Sequence, residues 1–207
     1  MQKIERIRSK SNEVNCYVVS NGEECIIFDP YIDVEKIEAY LKEENMKPVA
    51  ICLTRFRYDH IYSIEIISNL YNIPVYVNPL EKAGLSNSDL DGSQVSPVIS
   101  KLAEFDLEMK SYELGGVSFK AIATPGNSVG GVSYIFDEFV LTGETLLKSG
   151  IGRTDLPGSN LPLLLETVEK TLFLLPDNMT VYPARGESTT IRTEKSVNQF
   201  FYKGLSG

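Results

Sequence analysis

Residues 49–61 read Val49-Ala50-Ile51-Cys52-Leu53-Thr54-Arg55-Phe56-Arg57-Tyr58-Asp59-His60-Ile61. The apolar run that begins after Pro48 predicts a buried strand ending at Thr54. A loop then presents two arginines, an aspartate and His60, the one histidine of the chain. Loops at strand ends are where a sheet places its functional side chains. This loop has the outline of a metal-binding segment, but a nitrogen-ligated metal needs several His or Cys side chains that can lose a proton and offer a lone pair. Arginine keeps its proton and has none to offer. The loop therefore offers one imidazole where a nitrogen-ligated metal would need several.

On the N-terminal side of this loop, Asn15 to Ser20 and Glu24 to Phe28 predict two strands joined by an Asn21-Gly22 hairpin turn. Asp33 opens a helix on which Ile37, Tyr40 and Leu41 fall at helical spacing. On the other side, a helix from about Tyr62 to Tyr71 leads to a strand, Ile73 to Val77, giving a first half of order β-β-α-β-α-β. Leu85 to Ser100 is a polar surface loop. The second half predicts strands over residues 106–114, 117–124, 131–136 and 139–143, then a helix from about Leu161 to Leu175. A strand from Met179 to Pro183 and a last helix from about Thr190 to Phe201 complete it. Two halves of this kind suggest an α/β protein of two mixed sheets packed face to face with helices outside.

The 207 residues carry 20 basic and 28 acidic side chains, a net charge of −8, which argues against nonspecific nucleic-acid binding. The length fits a single domain over residues 1–207. No apolar run is long enough to span a membrane and the N-terminus lacks an apolar signal core, so a cytoplasmic protein is expected. Cys16, Cys25 and Cys52 each lie in an apolar run and form no C-x-x-C pair. They read as buried free thiols.

Four strand-end loops carry the candidate chemistry: residues 54–61, Thr124-Pro125-Gly126-Asn127-Ser128-Val129-Gly130, Thr142-Gly143-Glu144-Thr145 and Tyr182-Pro183-Ala184-Arg185-Gly186. Together with Asn15-Cys16-Tyr17 and the long run Ile151-Gly152-Arg153-Thr154-Asp155-Leu156-Pro157-Gly158, they resemble the metallo-β-lactamase-fold hydrolases over nearly the whole chain. The compact glyoxalase II-like branch is the nearest in pattern. The resemblance implies a four-layer αββα sandwich with its site at one edge between the sheets. In that family, one or two ions held by His and Asp side chains generate a metal-bound hydroxide that attacks an ester or amide carbonyl.

Matched position by position, the two leading histidines of the family's T-H-x-H-x-D-H loop are Arg55 and Arg57, and its Asp and His are kept as Asp59 and His60. The His of the next loop is Asn127, the bridging Asp is Glu144, and the last His is Arg185. The resemblance therefore implies that the first metal position is lost, while Asp59, His60 and Glu144 remain as an alternative set for one zinc, iron or manganese ion. The family's iron dioxygenase branch is disfavoured, because its iron needs the three histidines replaced by Arg55, Arg57 and Asn127. Two divalent ions would bring four positive charges to the pocket, and Arg55, Arg57 and Arg185 bring three. A Glu in place of Asp reaches one methylene further, which suits a guanidinium fork.

Two readings of the arginines stand side by side: an ion-pair network that only holds loops together, and a pocket for a small anionic ligand. His60 reads either as a hydrogen-bonded partner of a carboxylate or as a residual metal ligand, and no G-x-S-x-G nucleophile elbow is present. The expectation is a metal-free, non-catalytic member of the fold that binds a small anion or a protein partner. A hydrolase acting on thioesters or esters with one weakly held metal is the alternative, and a structural scaffold is a third. Arg153 and Asp155 are expected to tie down their loop.

Overall fold

The computed structural model describes residues 2–8, 14–31, 33–55, 63–82, 101–104 and 110–202. The predicted polar loop from Leu85 to Ser100 lies outside them, as do Phe56, Arg57, Tyr58, Asp59 and His60. The first sheet runs in the order β1 (Lys3–Arg8), β2 (Asn15–Asn21), β3 (Glu24–Phe28), β4 (Lys47–Cys52), β5 (Val75–Val77) and β6 (Leu102–Glu104). Its β1-β2-β3 portion is antiparallel and its β3-β4-β5-β6 portion is parallel. The second sheet takes the order β14 (Thr189–Thr190), β13 (Thr180–Pro183), β10 (Phe139–Gly143), β9 (Val132–Ile135), β8 (Val117–Ala123), β7 (Ser111–Leu114). A small ribbon, β11 (Leu146–Leu147) with β12 (Gly150–Ile151), follows β10. Helices α1 (Val34–Glu43) and α2 (Ile64–Tyr71) belong to the first half, α3 (Leu161–Lys170) and α4 (Ile191–Val197) to the second.

The period of two along the strands explains the layering. In β2 and β3, Cys16, Val18, Cys25 and Ile27 point to one face, where they pack with Ile37 and Leu41 of α1 and Ile64 and Ile67 of α2. The alternate residues Tyr17, Val19, Ile26 and Phe28 point the other way and meet Phe119, Tyr134 and Leu141 of the second sheet. A third core buries Val140 and Val181 against Val168 of α3 and Ile191 of α4. Helix, sheet, sheet and helix thus alternate, each interface filled by one parity of strand residues. The strands β2 and β3 read as runs without polar alternation because both of their faces are covered.

The hairpin turn falls where Asn21-Gly22 predicts it, with Gly22 at φ +75°. Helix α1 begins after Asp33 as expected. Strand β1 is a finding beyond the sequence reading: Lys3–Arg8 carries four charged residues around Ile4 and Ile7, and its half-exposed pattern belongs to an edge strand. The helix expected from Leu161 to Leu175 ends at Lys170 and continues after Thr171 as a short 3-10 turn, Leu172–Leu174. The last helix stops at Val197, before the expected Phe201. No helix among the described residues is long and apolar enough to cross a membrane.

Candidate functional site

Strands β8, β10 and β13 run parallel to one another, because β9 is antiparallel to both β8 and β10 and β13 is parallel to β10. Their C-terminal ends therefore open at one edge. The loops carrying Asn127, Glu144 and Arg185 leave from that edge, and Arg55 follows β4 of the facing sheet. The sheets are stitched there by backbone: Val132 N donates to Thr54 O at 2.9 Å, and Asn15 N donates to Ala184 O at 2.8 Å.

Each loop is fixed by side chains that the motifs alone do not reveal. Asp29, in the left-handed region at φ +48°, accepts from Thr54 N at 2.8 Å and from Thr54 Oγ1 at 2.7 Å, which sets the exit direction of the Arg55 segment. Gly143 packs on the same threonine. It sits at φ +55°, and a Cβ there would lie 2.5 Å from Thr54 Oγ1, so only glycine brings Glu144 this close to β4. The Asn127 loop is gripped from the β5 side, where Glu81 Oε1 accepts from Gly130 N at 2.5 Å and Asn78 Nδ2 donates to Gly130 O at 2.8 Å. Its other flank rests on α3, with Asn160 N donating to Gly126 O at 2.7 Å.

Four of the predicted residues meet in one cluster. Arg55 Nη1 donates to Asn127 Oδ1 at 2.8 Å, and Arg55 Nη2 pairs with Glu144 Oε1. Arg185 Nε donates to that same Glu144 oxygen at 2.7 Å. Asn127 Nδ2 donates to Arg153 O at 2.8 Å, which links the Ile151–Gly158 segment to the cluster. Gly152 permits this contact, since a Cβ on it would come within 2.5 Å of Asn127 Nδ2. The side chains of Arg55 and Glu144 are 3% and 5% exposed, whereas that of Arg185 is 35% exposed. The cluster is therefore closed on the Arg55 side and open on the Arg185 side. Arg57, Asp59 and His60 lie outside the described residues. Arg153 and Asp155, expected to tie down their loop, pair with each other at 2.8 Å, and both are well exposed.

Sequence reasoning did not single out Asp29, Asn78, Glu81 or Gly152. Asn78-Pro79 carries a readable signal, because Asn followed by Pro starts a turn and caps a short helix; here Asn78 Oδ1 accepts from Leu80 N. Nothing in the chain's linear pattern signals that Glu81 is fully buried and reaches a glycine in another loop.

The family model described as the metallo-beta-lactamase superfamily matches residues 12–184 of this chain. The chain belongs to the metallo-β-lactamase superfamily. Among relatives of this metallo-hydrolase superfamily, a probable metallo-hydrolase of Streptococcus pyogenes serotype M6, M6_Spy0554, is 40% identical over 91% of this chain and 85% of its own. The probable metallo-hydrolase YqgX of Bacillus subtilis is 34% identical over 91% of this chain and 92% of its own. Among solved structures, the BLEG-1 B3 metallo-beta-lactamase superposes with a TM-score of 0.88 at 32% identity, covering 98% of this chain and 100% of that one. TTHA1623, solved in a di-iron-bound form, gives a TM-score of 0.83 at 28% identity over 95% and 99% of the two chains. These matches establish the metallo-β-lactamase fold and its αββα layering. Members of the superfamily typically bind zinc or iron.

Proposed function

We propose that this chain is a non-hydrolytic member of the superfamily, in which guanidiniums replace the charge of the metal ions and the open side of the cluster receives a small anion. The observation that carries this reading is the single oxygen, Glu144 Oε1, that accepts from both Arg55 and Arg185. Matched to the family's motifs, this residue stands at the position of the bridging carboxylate. A bridging carboxylate serves two cations, and here two cations of the chain itself take that role.

The donor chemistry of the described residues does not suit a metal ion. Guanidinium offers no lone pair. Asn127 turns its carbonyl oxygen toward Arg55 and its amide nitrogen toward Arg153 O, so its one acceptor already faces a cation. A divalent ion placed among these groups would meet two fixed positive charges at the carboxylate it needs. The described residues of the cluster therefore lack the donor set for metal-assisted hydrolysis. The anion class follows from the same chemistry. Guanidinium forks bind carboxylate and phosphate oxygens through paired N–H donors, and Arg185 is the guanidinium of the cluster that solvent reaches.

Metal analysis of protein purified without chelators tests the proposal, with substoichiometric zinc, iron and manganese expected. Stoichiometric metal overturns it, and its loss in His60→Ala assigns the ion to this pocket. That outcome favours the second reading, a thioester or ester hydrolase with one ion on Asp59, His60 and Glu144. The curated relatives named probable metallo-hydrolases give this second reading its support. Thioesterase activity that appears on adding zinc or manganese, and is lost in His60→Ala, separates the two.

A further inference from the structure

The loop carrying Arg185 is held from the solvent side as well as by Glu144. Strands β1 and β2 pair with Arg6 opposite Tyr17 and Arg8 opposite Asn15. Directly paired residues share a face of the sheet, and Tyr17 belongs to the core between the sheets. Arg6 and Arg8 therefore project from the edge of the first sheet toward the second. There Arg6 Nη1 donates to Gly186 O at 3.2 Å, Arg6 Nη2 pairs with Glu187 Oε2 at 3.2 Å, and Arg8 Nη2 pairs with Glu187 Oε1. Beneath them, Asn15 Nδ2 donates to Pro183 O and Gly186 O, both at 2.9 Å, and Tyr17 OH donates to Pro183 O at 2.7 Å. All of these acceptors lie within two residues of Arg185, and Gly186 at φ +76° turns the chain between Arg185 and Glu187.

We propose that Arg6, Arg8 and Glu187 are positioning residues for Arg185, forming an ionic latch across the open edge of the sandwich that keeps its guanidinium on Glu144. The latch joins β1, the outer strand of the first sheet, to the segment between β13 and β14 at the outer edge of the second. Its two layers differ in kind. Asn15 and Tyr17 are buried and neutral, whereas the carboxylate of Glu187 is 55% exposed and bridges the partly exposed Arg6 and the half-exposed Arg8. Fully exposed pairs are screened by salt more strongly than the part-buried Arg185–Glu144 pair, whose carboxylate is nearly closed to solvent. The latch thus makes the hold on Arg185 depend on ionic strength, and opening it releases the solvent-facing guanidinium toward an incoming anion. That last step rests on the anion-binding reading given above, whereas the positional coupling does not.

The test follows proton exchange at Arg185 Nε–H by NMR in the full chain, with the resonance assigned through Arg185→Lys. In the parent protein at low salt this proton is protected by its bond to Glu144. Glu187→Gln speeds its exchange about threefold to tenfold, the range that two exposed ion pairs allow. High salt produces the same acceleration in the parent and little further change in Glu187→Gln. Glu44→Gln removes the exposed Lys3–Glu44 pair on the same edge strand and leaves the exchange unchanged. Exchange unaffected by Glu187→Gln at low salt, or equally accelerated by Glu44→Gln, overturns the latch. Metal analysis of the same samples keeps the two ideas apart. Stoichiometric metal sinks the non-hydrolytic reading, whereas a missing Glu187 effect sinks the latch alone.

Discussion

Replacing Glu144 by glutamine is the sharpest perturbation of the cluster, because it removes a charge while nearly conserving shape. Glu144 Oε1 accepts from Arg55 and from Arg185, and the Arg55–Glu144 pair is almost wholly buried. Removing one partner of a buried pair leaves the other charge in a medium that solvates it poorly, at about 3–5 kcal/mol. For a chain of this size, where 1 kcal/mol shifts the midpoint by about 2–4 °C, that corresponds to a fall of about 6–20 °C. Urea denaturation monitored by circular dichroism reads the loss directly, provided the slope with denaturant is unchanged. Arg185→Gln is milder, about 1 kcal/mol or less, because solvent reaches Arg185 and screens its pair. The double substitution Arg55→Met with Glu144→Leu recovers most of the stability lost in Glu144→Gln, since apolar groups of similar volume remove both charges of the buried pair and leave only the solvent-accessible Arg185 without this carboxylate. A loss below about 1 kcal/mol in Glu144→Gln, the level of an exposed ion pair, refutes the reasoning, as does a double variant less stable than the single.

Two further outcomes follow from the same geometry. Gly143→Ala places a methyl 2.5 Å from Thr54 Oγ1 and forces a side chain into φ +55°; it destabilises by about 2–4 kcal/mol, read by thermal denaturation, and a neutral result refutes the close approach. Burial pushes the Cys25 thiol up to about 12, and burial likewise raises Cys16 and Cys52. The native state therefore holds these protons more tightly than the unfolded chain. Their contribution is full below the unfolded thiol value of about 8.5, and is lost as pH rises from there toward the folded values. Urea midpoints measured from neutral to alkaline pH should fall in the parent protein and fall less steeply in Cys25→Ala; equal slopes refute it.

The β2-β3 hairpin, α1 and the main strands of both halves could be read from the sequence, because each carries a local signal: Asn21-Gly22 for the turn, Asp33 for the helix start, apolar runs for strands covered on both faces. Strand β1 could not, since Lys3–Arg8 has the composition of a solvated tail and becomes a strand only through pairing with β2. The end of α3 was overextended for a related reason: Leu172 continues the apolar pattern and is buried, yet the backbone tightens to a 3-10 turn after Thr171. At the site, matching of motifs brought Arg55, Asn127, Glu144 and Arg185 to one place, and the geometry joins those four by hydrogen bonds and ion pairs. The supports were hidden. Glu81 reaches Gly130 across 49 positions and Arg6 reaches Gly186 across 180, separations at which no periodicity or spacing rule operates.

The placement of these supports bears on how a metal centre could be exchanged for guanidiniums. An imidazole can become a guanidinium only if the longer, permanently charged side chain finds a carboxylate at the right depth. An aspartate at position 144 would end one methylene short. The glutamate carries its carboxylate to where a single oxygen meets Arg55 Nη2 and Arg185 Nε from opposite sheets. Asn127 completes the adjustment by offering a neutral acceptor to Arg55, where a second cation would repel it. The backbone is indifferent to what the loops carry, because Gly143, Gly152 and the Asp29–Thr54 pair fix them whatever the side chains are. Each substitution is intelligible only in the presence of the others. That mutual dependence supports the proposed reading of the cluster as one unit, because two arginines from opposite sheets converge on one carboxylate oxygen.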